Sequence, residues 1–220
     1  MPTLADFQNR PMNRGKWVVV DGPSGSGKDS LLSVLQQRLL ETNTPFSYIS
    51  EEDLDPDRQQ ILTATGDRAK ARLLVNHRFR IWHKYVYPAL MEGRVVLSNR
   101  GEPATLAYQT ASGEISISQV WEMHRHRGIS RPDLVVITVC RPDAALLRRE
   151  QDQAASGSIR AERERGRGLS GKFTGERQEL IHRQYFEVRR FLEEKNVPVL
   201  LLDTEKMSVG QEADAVLRLL

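Results

Sequence analysis

The sequence is poor in cysteine and aromatic residues, and it has no long apolar run. Its 220 residues include a single cysteine, Cys140, and 6% aromatic residues. One cysteine excludes an internal disulfide framework and is typical of a protein from a reducing compartment. No apolar stretch approaches the ~20 residues of a membrane span, and the N-terminal segment MPTLADFQNRPMNRGK lacks the apolar core of a signal peptide. We therefore expect a cytoplasmic protein with no membrane partner.

The chain also lacks a strong charge of either sign. Its formal net charge is +3, which is too small to indicate a nucleic-acid partner. The basic residues are instead concentrated in the segment 141–190. This distribution is typical of a protein that handles phosphate-bearing polyanions. It would also suit a weak nucleic-acid binder, which we rank last among the alternatives.

Five short apolar runs alternate with segments of helical periodicity. The runs are continuous, as is typical of parallel strands that are buried on both faces. The predicted strands are residues 16–21, 46–49, 94–98, 134–139 and 197–202. The predicted helices are residues 28–41, 69–92 with a break or kink at Pro88, 103–110, 116–128, 143–153, 176–195 and 209–219. We expect an α/β fold, with residues 1–15 as a polar lead-in and residues 16–220 as one domain.

A glycine-rich stretch, GPSGSGKDS, separates the first predicted strand from the first predicted helix. Gly22, Gly27 and Lys28 match the phosphate-loop pattern G-x-x-x-x-G-K. Glycines let the backbone N–H groups turn inward, where they and the helix N-terminus bind phosphates. The predicted nucleotide site is formed by Gly22, Pro23, Ser24, Gly25, Ser26, Gly27, Lys28, Asp29 and Ser30. Lys28 is expected to reach the β- and γ-phosphates.

Asp29 stands where the phosphate-loop pattern has Ser or Thr, and Ser30 follows it. A hydroxyl at this position normally binds Mg²⁺, but a carboxylate is also a hard oxygen ligand that Mg²⁺ accepts. Alternatively, Asp29 only favours the helix N-terminus electrostatically, and Ser30 binds the metal. Both residues are therefore candidate metal ligands.

Three further stretches, together with the glycine-rich loop, resemble the thymidylate kinase family of P-loop nucleoside monophosphate kinases. They are RFRIWHKYVYPALMEG, VVLSNRGEPATLAYQ and RPDLVVITVCRPDAALLRR. That family shows a helix ending in P-A-L, a strand followed by D-R-[FY], then S-x-A-Y-Q, and R-P-D before a further strand. The resemblance spans most of residues 16–220, and the loop itself is also similar to that of ribose bisphosphate kinases.

The resemblance implies a three-layer P-loop kinase fold with a five-stranded parallel sheet and an arginine-rich lid. It implies ATP as the phosphoryl donor, Mg²⁺ as the metal, and a small-molecule phosphate acceptor. Thymidylate is the leading acceptor. Another nucleotide, a sugar phosphate or a specialised metabolite remains an alternative. The resemblance is also compatible with a homodimer.

Several positions depart from the family pattern on the acceptor side. The family's D-R is replaced by Asn99–Arg100, and the following aromatic residue by Gly101. The aromatic residue that stacks on the thymine base aligns with Leu74, although the base-reading arginine is matched by Arg78. The family's R-E-P-G-G segment after the second strand has no counterpart. The donor side therefore matches the family more closely than the acceptor pocket does.

The resemblance and the position of each residue give a candidate acceptor site. Arg100 follows a strand and could clamp a phosphate bidentately, or it could pair with Glu102 at the surface. Tyr108 could bind the acceptor or pack in the core. The acidic segment 51–53 could orient an acceptor hydroxyl or hold a metal-bound water. The predicted substrate-binding residues are Glu52, Arg78, Arg100, Tyr108 and Gln109.

The segment 154–172 is polar and rich in glycine and arginine, and we predict that it is a lid inserted between two helices. Phosphoryl transfer is catalysed mainly by positioning and by cations near the migrating group, and a lid excludes water. The predicted catalytic residues are therefore Lys28, Arg100, Arg163 and Arg167. The alternative is a charged loop in which glutamates balance the arginines.

A nucleotide-binding protein without kinase activity, such as an ATPase, is the competing class. Such a protein would favour a separate carboxylate after an apolar strand. The predicted strands that end near Asn99 and Cys140 do not supply one. This absence favours the kinase.

Overall fold

The computed structural model describes residues 14–51, 58–155 and 175–220. Five strands form one sheet, and they follow the short apolar runs of the sequence. They are β1 (Trp17–Asp21), β2 (Phe46–Ser50), β3 (Val95–Asn99), β4 (Leu134–Val139) and β5 (Val199–Asp203).

The sheet is parallel throughout, and its strand order is β2-β3-β1-β4-β5. The central strand β1 pairs with β3, where Val20 lies opposite Asn99, and with β4, where Asp21 lies opposite Ile137. The carboxyl ends of β1, β3 and β4 therefore meet at one edge. In open α/β sheets, ligands bind in the crevice beyond that edge.

Helices connect the strands and cover both faces of the sheet. They are α1 (Lys28–Glu41), α2 (Arg58–Thr63), α3 (Asp67–Ile81), α4 (Tyr87–Met91), α5 (Glu102–Tyr108), α6 (Ile117–His126), α7 (Pro142–Ala155), α8 (Gly175–Glu194) and α9 (Val209–Leu217).

The alternation of side chains along β1 produces two cores. Val18 and Val20 pack with leucines of α1 and with α9, whereas Trp17 and Val19 pack with α3, α5, α6 and α8. All five residues of β1 are buried, because helices cover both faces. The three-layer α/β fold predicted from the sequence is confirmed.

The long helix predicted over residues 69–92 is divided into three parts. The helix α3 ends at Ile81, a π-helical turn covers Trp82–Val86, and α4 follows. Pro88 lies in the first turn of α4, where its missing N–H needs no partner. Trp82 and Tyr87, at the two junctions, both keep right-handed helical backbone angles, so the chain does not break at the proline. The departure from the α-helix is the π-helical turn, which begins at Trp82, six residues before Pro88.

The predicted lead-in and lid fall largely outside the described residues. Residue 14 is the first one described, and its side chain contacts the domain through a 2.5 Å ion pair between Arg14 Nη2 and Asp133 Oδ1. The helix α7 extends to Ala155, two residues into the predicted lid segment, and the next described residue is Gly175, where α8 begins.

Candidate active site

The loop between β1 and α1 folds as a phosphate loop because its glycines occupy positions where a side chain would not fit. Gly22 has φ +147°, and a Cβ there would lie 2.2 Å from the carbonyl oxygen of Thr138. Gly25 has φ +81°, and its Cβ would lie 2.4 Å from the carbonyl oxygen of Ala145. The loop is thus packed against β4 and α7.

Side chains inside the loop fix its curvature. The hydroxyls of Ser26 and Thr138 are 2.7 Å apart, and both are buried. The ammonium of Lys28 is also buried and donates a 2.7 Å hydrogen bond to the carbonyl oxygen of Pro23. Lys28 therefore folds back over the loop that should bind the phosphates.

The two candidate metal ligands, Asp29 and Ser30, lie in the exposed first turn of α1. Asp29 Oδ1 accepts a 2.9 Å hydrogen bond from Asn99 Nδ2, and the same amide lies 3.2 Å from the hydroxyl of Tyr48. Within the ranges that the structure describes, no group of three or more His, Cys, Asp or Glu is arranged to hold a metal. The donor set around the loop suits Mg²⁺ held by one carboxylate together with phosphate oxygens and water.

Arg100 lies in the turn between β3 and α5, next to the phosphate loop. Its φ is +70°, and its N–H donates to the carbonyl oxygen of Val20 at 2.9 Å. Burial raises the pKa of Tyr108, and the Arg100 charge and a hydrogen bond from the Ser24 backbone oppose that rise. Arg100, Tyr108 and Ser24 are therefore neighbours at the entrance to the loop.

The other candidates near Arg100 have different surroundings. Glu102, the alternative partner of Arg100 in the sequence, forms a 2.6 Å ion pair with Arg125. Gln109 is the half-buried C-cap of α5, and its N–H donates to the carbonyl oxygen of Thr105 at 3.1 Å.

Arg78 is buried and lies in a network of polar side chains. Its Nε and Nη2 donate to the two carboxylate oxygens of Glu51 at 2.6 and 3.0 Å, so the pair is bidentate. Its Nη1 donates to the hydroxyl of Thr105 and lies 3.3 Å from His124 Nε2. Glu51, which the sequence placed in an acidic loop, thus serves to hold Arg78.

Glu102, at the start of α5, and His124, in α6, belong to the same buried network. Burial raises the pKa of Glu102 to about 7, against the opposing charges of Arg125 and Arg78. Burial lowers the pKa of His124 well below its ordinary value, and the Arg78 charge lowers it further. His124 is therefore neutral, with Nδ1 donating to the carbonyl oxygen of Val120 at 2.9 Å and Nε2 accepting from Arg78.

A small cavity lies among these residues, with a volume of about 20 Å³. Its lining includes Arg78, Arg100, Trp17 and Trp82. Such a volume holds about one water molecule, whereas small-molecule sites measure roughly 300–1,000 Å³. A nucleotide can enter here only if some of the lining side chains move.

The end of β5 lies on the other side of the phosphate loop, next to Gly27. A Cβ on Gly27 would lie 3.5 Å from the methyl group of Thr204. Arg148 donates to the hydroxyl and carbonyl oxygens of Thr204 at 2.7 and 3.1 Å. These contacts join α7 to the edge of the phosphate loop.

Sequence reasoning missed Asp21, the last residue of β1. Its carboxylate is fully buried and accepts four hydrogen bonds, from the N–H groups of Gly22, Gly101 and Ala104 and from the hydroxyl of Tyr185. One signal was available, because a charged residue ends an apolar strand directly before the glycine loop.

Three predicted site residues, Glu52, Arg163 and Arg167, lie outside the described residues. The others form two groups. The phosphate loop with Lys28, Asp29 and Ser30 lies beside Arg100 and Tyr108, and Arg78 lies across the small cavity from Arg100.

Comparison with known proteins gives one consistent family. The family model described as thymidylate kinase matches residues 20–197. A thymidylate kinase from Clostridium novyi is 30% identical over 62% of this chain and 71% of its own length. The thymidylate kinase from Neorickettsia sennetsu is 31% identical over 55% of this chain and 64% of its own length. The one from Bacillus cytotoxicus is 31% identical over 64% of this chain and 72% of its own length.

Proposed function

Because the chain belongs to the thymidylate kinase family, we propose that it is an ATP-dependent kinase that phosphorylates dTMP. The observation that carries this proposal is the placement of Lys28 and Arg100 around the end of β1, within a family match that covers residues 20–197. The enzyme transfers the γ-phosphoryl group of ATP to the phosphate of dTMP, and ADP and dTDP are the products.

The donor phosphates bind in the loop between β1 and α1. Its N–H groups and the positive end of α1 contact the α- and β-phosphates. Lys28, which donates to the loop's own Pro23 carbonyl, turns to the β- and γ-phosphates when ATP enters. The ammonium then neutralises negative charge on the phosphates during transfer.

The acceptor binds on the opposite side of the β1 end. Arg100 holds the acceptor phosphate with its guanidinium, and Tyr108 and Gln109 line the same side. Arg78, fixed by Glu51, contacts the base. Glu52 is our remaining acceptor-side candidate. Positioning of this kind is the main source of catalysis in phosphoryl transfer.

Asp29 is the better of the two candidate Mg²⁺ ligands. Its carboxylate is held by Asn99, which occupies the position of the aspartate in the family's D-R motif. The chain therefore carries a carboxylate on the loop side of this contact and an amide on the strand side, where the family pattern has a hydroxyl and a carboxylate. Bound Mg²⁺ would neutralise charge on the β- and γ-phosphate oxygens.

The lid completes the proposed machinery. Arg163 and Arg167 are our candidates for contacting the transferred phosphoryl group when the lid closes. Closure also excludes water, so ATP is not hydrolysed without an acceptor. We further propose one catalytic domain over residues 16–220, with residues 1–15 as a lead-in and the lid at about 154–172.

The remaining proposals concern the setting of the enzyme. The part of the chain that the structure describes contains no helix long and apolar enough to cross a membrane. We propose a cytoplasmic location, which agrees with the buried free thiol of Cys140. A homodimer remains our prediction for the assembly.

The test is a steady-state assay of ADP release with ATP, Mg²⁺ and a panel of acceptors. We expect turnover with dTMP to exceed turnover with the other nucleoside monophosphates, nucleosides and sugar phosphates. Lys28→Ala should lower kcat by about 10²–10³-fold, whereas Lys16→Ala, exposed at the other end of β1, should not. Preference for a different acceptor, or ADP release that needs no acceptor, would refute the proposal.

A further inference from the structure

The buried carboxylate of Asp21 joins three parts of the proposed site. Its Oδ1 accepts from the N–H of Gly22 and from the hydroxyl of Tyr185, both at 2.8 Å. Its Oδ2 accepts from the N–H groups of Gly101 and Ala104, at 3.1 and 2.9 Å. The donors belong to the start of the phosphate loop, the start of α5 and the helix α8 that follows the predicted lid. A fully buried carboxylate is tolerated because all four bonds satisfy it.

Asp21 serves as the N-terminal cap of α5, although it belongs to another element. Gly101 precedes α5 and has no side chain to cap it. The carboxylate of Asp21 takes that place by binding the Gly101 and Ala104 N–H groups, and a negative charge near a helix N-terminus is favourable. The start of α5 is therefore attached to the central strand.

This attachment fixes the backbone that carries Arg100. Arg100 has φ +70°, in the left-handed region that is unfavourable for a residue with a side chain. Such a conformation persists only where neighbouring contacts hold it. The Arg100 N–H binds the Val20 carbonyl oxygen at 2.9 Å, and the next residue, Gly101, binds Asp21 at 3.1 Å. Two adjacent residues of β1 thus clamp this turn.

The hydroxyl of Tyr185 extends the same network to the side chain of Arg100. The Tyr185 ring packs edge-on against Tyr108, with ring centroids 6.2 Å apart. Tyr108 in turn lies beside Arg100 and the Ser24 backbone. Burial raises the pKa of Tyr185 well above its usual value, and the Asp21 charge raises it further, so its hydroxyl remains a donor.

We propose that Asp21 is a positioning residue for phosphoryl transfer, which holds the first N–H of the phosphate loop and the backbone of Arg100 in one fixed arrangement. The first of these roles of Asp21, holding the N–H of Gly22, does not depend on which acceptor the enzyme uses. The second role, holding the backbone of Arg100, rests on the proposed function.

The first test measures ADP affinity and kcat of Asp21→Asn. Asparagine keeps the size of the side chain, but its NH₂ group faces two of the four donors whichever way it is oriented. We expect ADP affinity, measured by calorimetry, to fall about tenfold or more, and kcat with dTMP to fall about 10²-fold.

The matched control is Asp133→Asn at the other end of β1. Asp133 accepts hydrogen bonds from the Trp17 N–H at 2.8 Å and from Arg14 at 2.5 Å. Its substitution should destabilise the protein but leave ADP affinity unchanged. If Asp21→Asn fails to fold, Tyr185→Phe removes one donor without adding another, and it should lower ADP affinity and kcat a few-fold.

The second test separates positioning from general destabilisation by a double-mutant cycle with Arg100→Ala. If Asp21 acts through Arg100, the double variant loses little more kcat than the worse single variant. Independent, additive losses in kcat together with wild-type ADP affinity in Asp21→Asn would overturn the inference. A wild-type enzyme that binds ADP but does not phosphorylate dTMP would refute only the proposed acceptor, and the ADP comparison would still decide the role of Asp21.

Discussion

At the residue scale, the contact between Asp29 and Asn99 predicts which side chain holds Mg²⁺. Asp29→Ala should weaken Mg²⁺ binding to the ADP complex by about 10–100-fold, because it removes the carboxylate of this contact and leaves no side-chain oxygen in its place. Asn99→Asp in the same background should restore much of that affinity, because it returns a carboxylate to the opposite side. Calorimetric titration of Mg²⁺ into the ADP complex measures both effects without turnover.

Ser30→Ala is the matched control for the metal ligand. Ser30 lies in the same exposed turn of α1, and its loss should leave Mg²⁺ affinity unchanged. A large loss of Mg²⁺ affinity in Ser30→Ala, with none in Asp29→Ala, would transfer the ligand role to the serine.

Because Glu102 has a raised pKa, we expect it to make the folded protein less stable as the pH rises. Burial raises its pKa from 4.5 to about 7, so between these values the folded protein binds more protons than the unfolded chain. The contribution of protonated Glu102 to the free energy of unfolding is therefore fully present below pH 4.5, and it is lost as the pH rises through 7. Glu102→Gln should abolish this loss, which amounts to about 3 kcal/mol.

The measurement compares denaturant unfolding of wild type and Glu102→Gln at pH 5 and pH 8. His124, whose lowered pKa acts in the opposite direction, is present in both proteins and largely cancels in the comparison. The variant should gain stability relative to wild type on going from pH 5 to pH 8. An equal pH dependence in the two proteins would contradict the assignment to Glu102.

At the element scale, the phosphate loop depends on close packing against β4. Gly22→Ala places a methyl group 2.2 Å from the Thr138 carbonyl oxygen, so the loop backbone must shift. We expect ATP affinity to fall by about 10²-fold. The measurement is ATP binding by calorimetry on protein that circular dichroism shows to be folded.

Gly113→Ala provides the control for the glycine substitution. Gly113 also has a positive φ, +80°, but nothing lies within 4 Å of its Cβ position. It should cost about 1 kcal/mol of stability and leave ATP affinity unchanged. Equal losses of affinity in the two variants would show that backbone strain, rather than loop packing, is responsible.

The elements and the loop could be predicted from the sequence because their signals are local. The glycines of residues 22–27 and the continuous apolar strands each act within a few neighbouring positions. The split at Trp82 was not predictable, because the apolar pattern continues through the π turn. The four donors to Asp21 and the pairing of Arg78 with Glu51 join distant segments, so only the folded chain brings them together.

At the scale of the whole molecule, the proposed acceptor site requires the cavity beside Arg78 and Arg100 to open when dTMP binds. The cavity of about 20 Å³ is too small for a nucleotide, and Trp17 and Trp82 line it. The third tryptophan, Trp121, packs against Arg125 and Phe191 instead. We expect dTMP binding to change the intrinsic fluorescence of the two lining tryptophans.

Single substitutions identify the source of that fluorescence change. Trp82→Phe should remove much of the response to dTMP, whereas Trp121→Phe should keep it. A response that disappears only in Trp121→Phe would place the rearrangement away from the acceptor cavity.

The most direct test of the whole proposal is to follow the phosphoryl group itself. ATP labelled at the γ-phosphorus is incubated with the enzyme, Mg²⁺ and dTMP, and the products are separated. We predict that label lost from ATP appears in dTDP, with one dTDP formed for each ADP. Label released as inorganic phosphate, or retained in ATP while dTMP is present, would contradict a dTMP kinase.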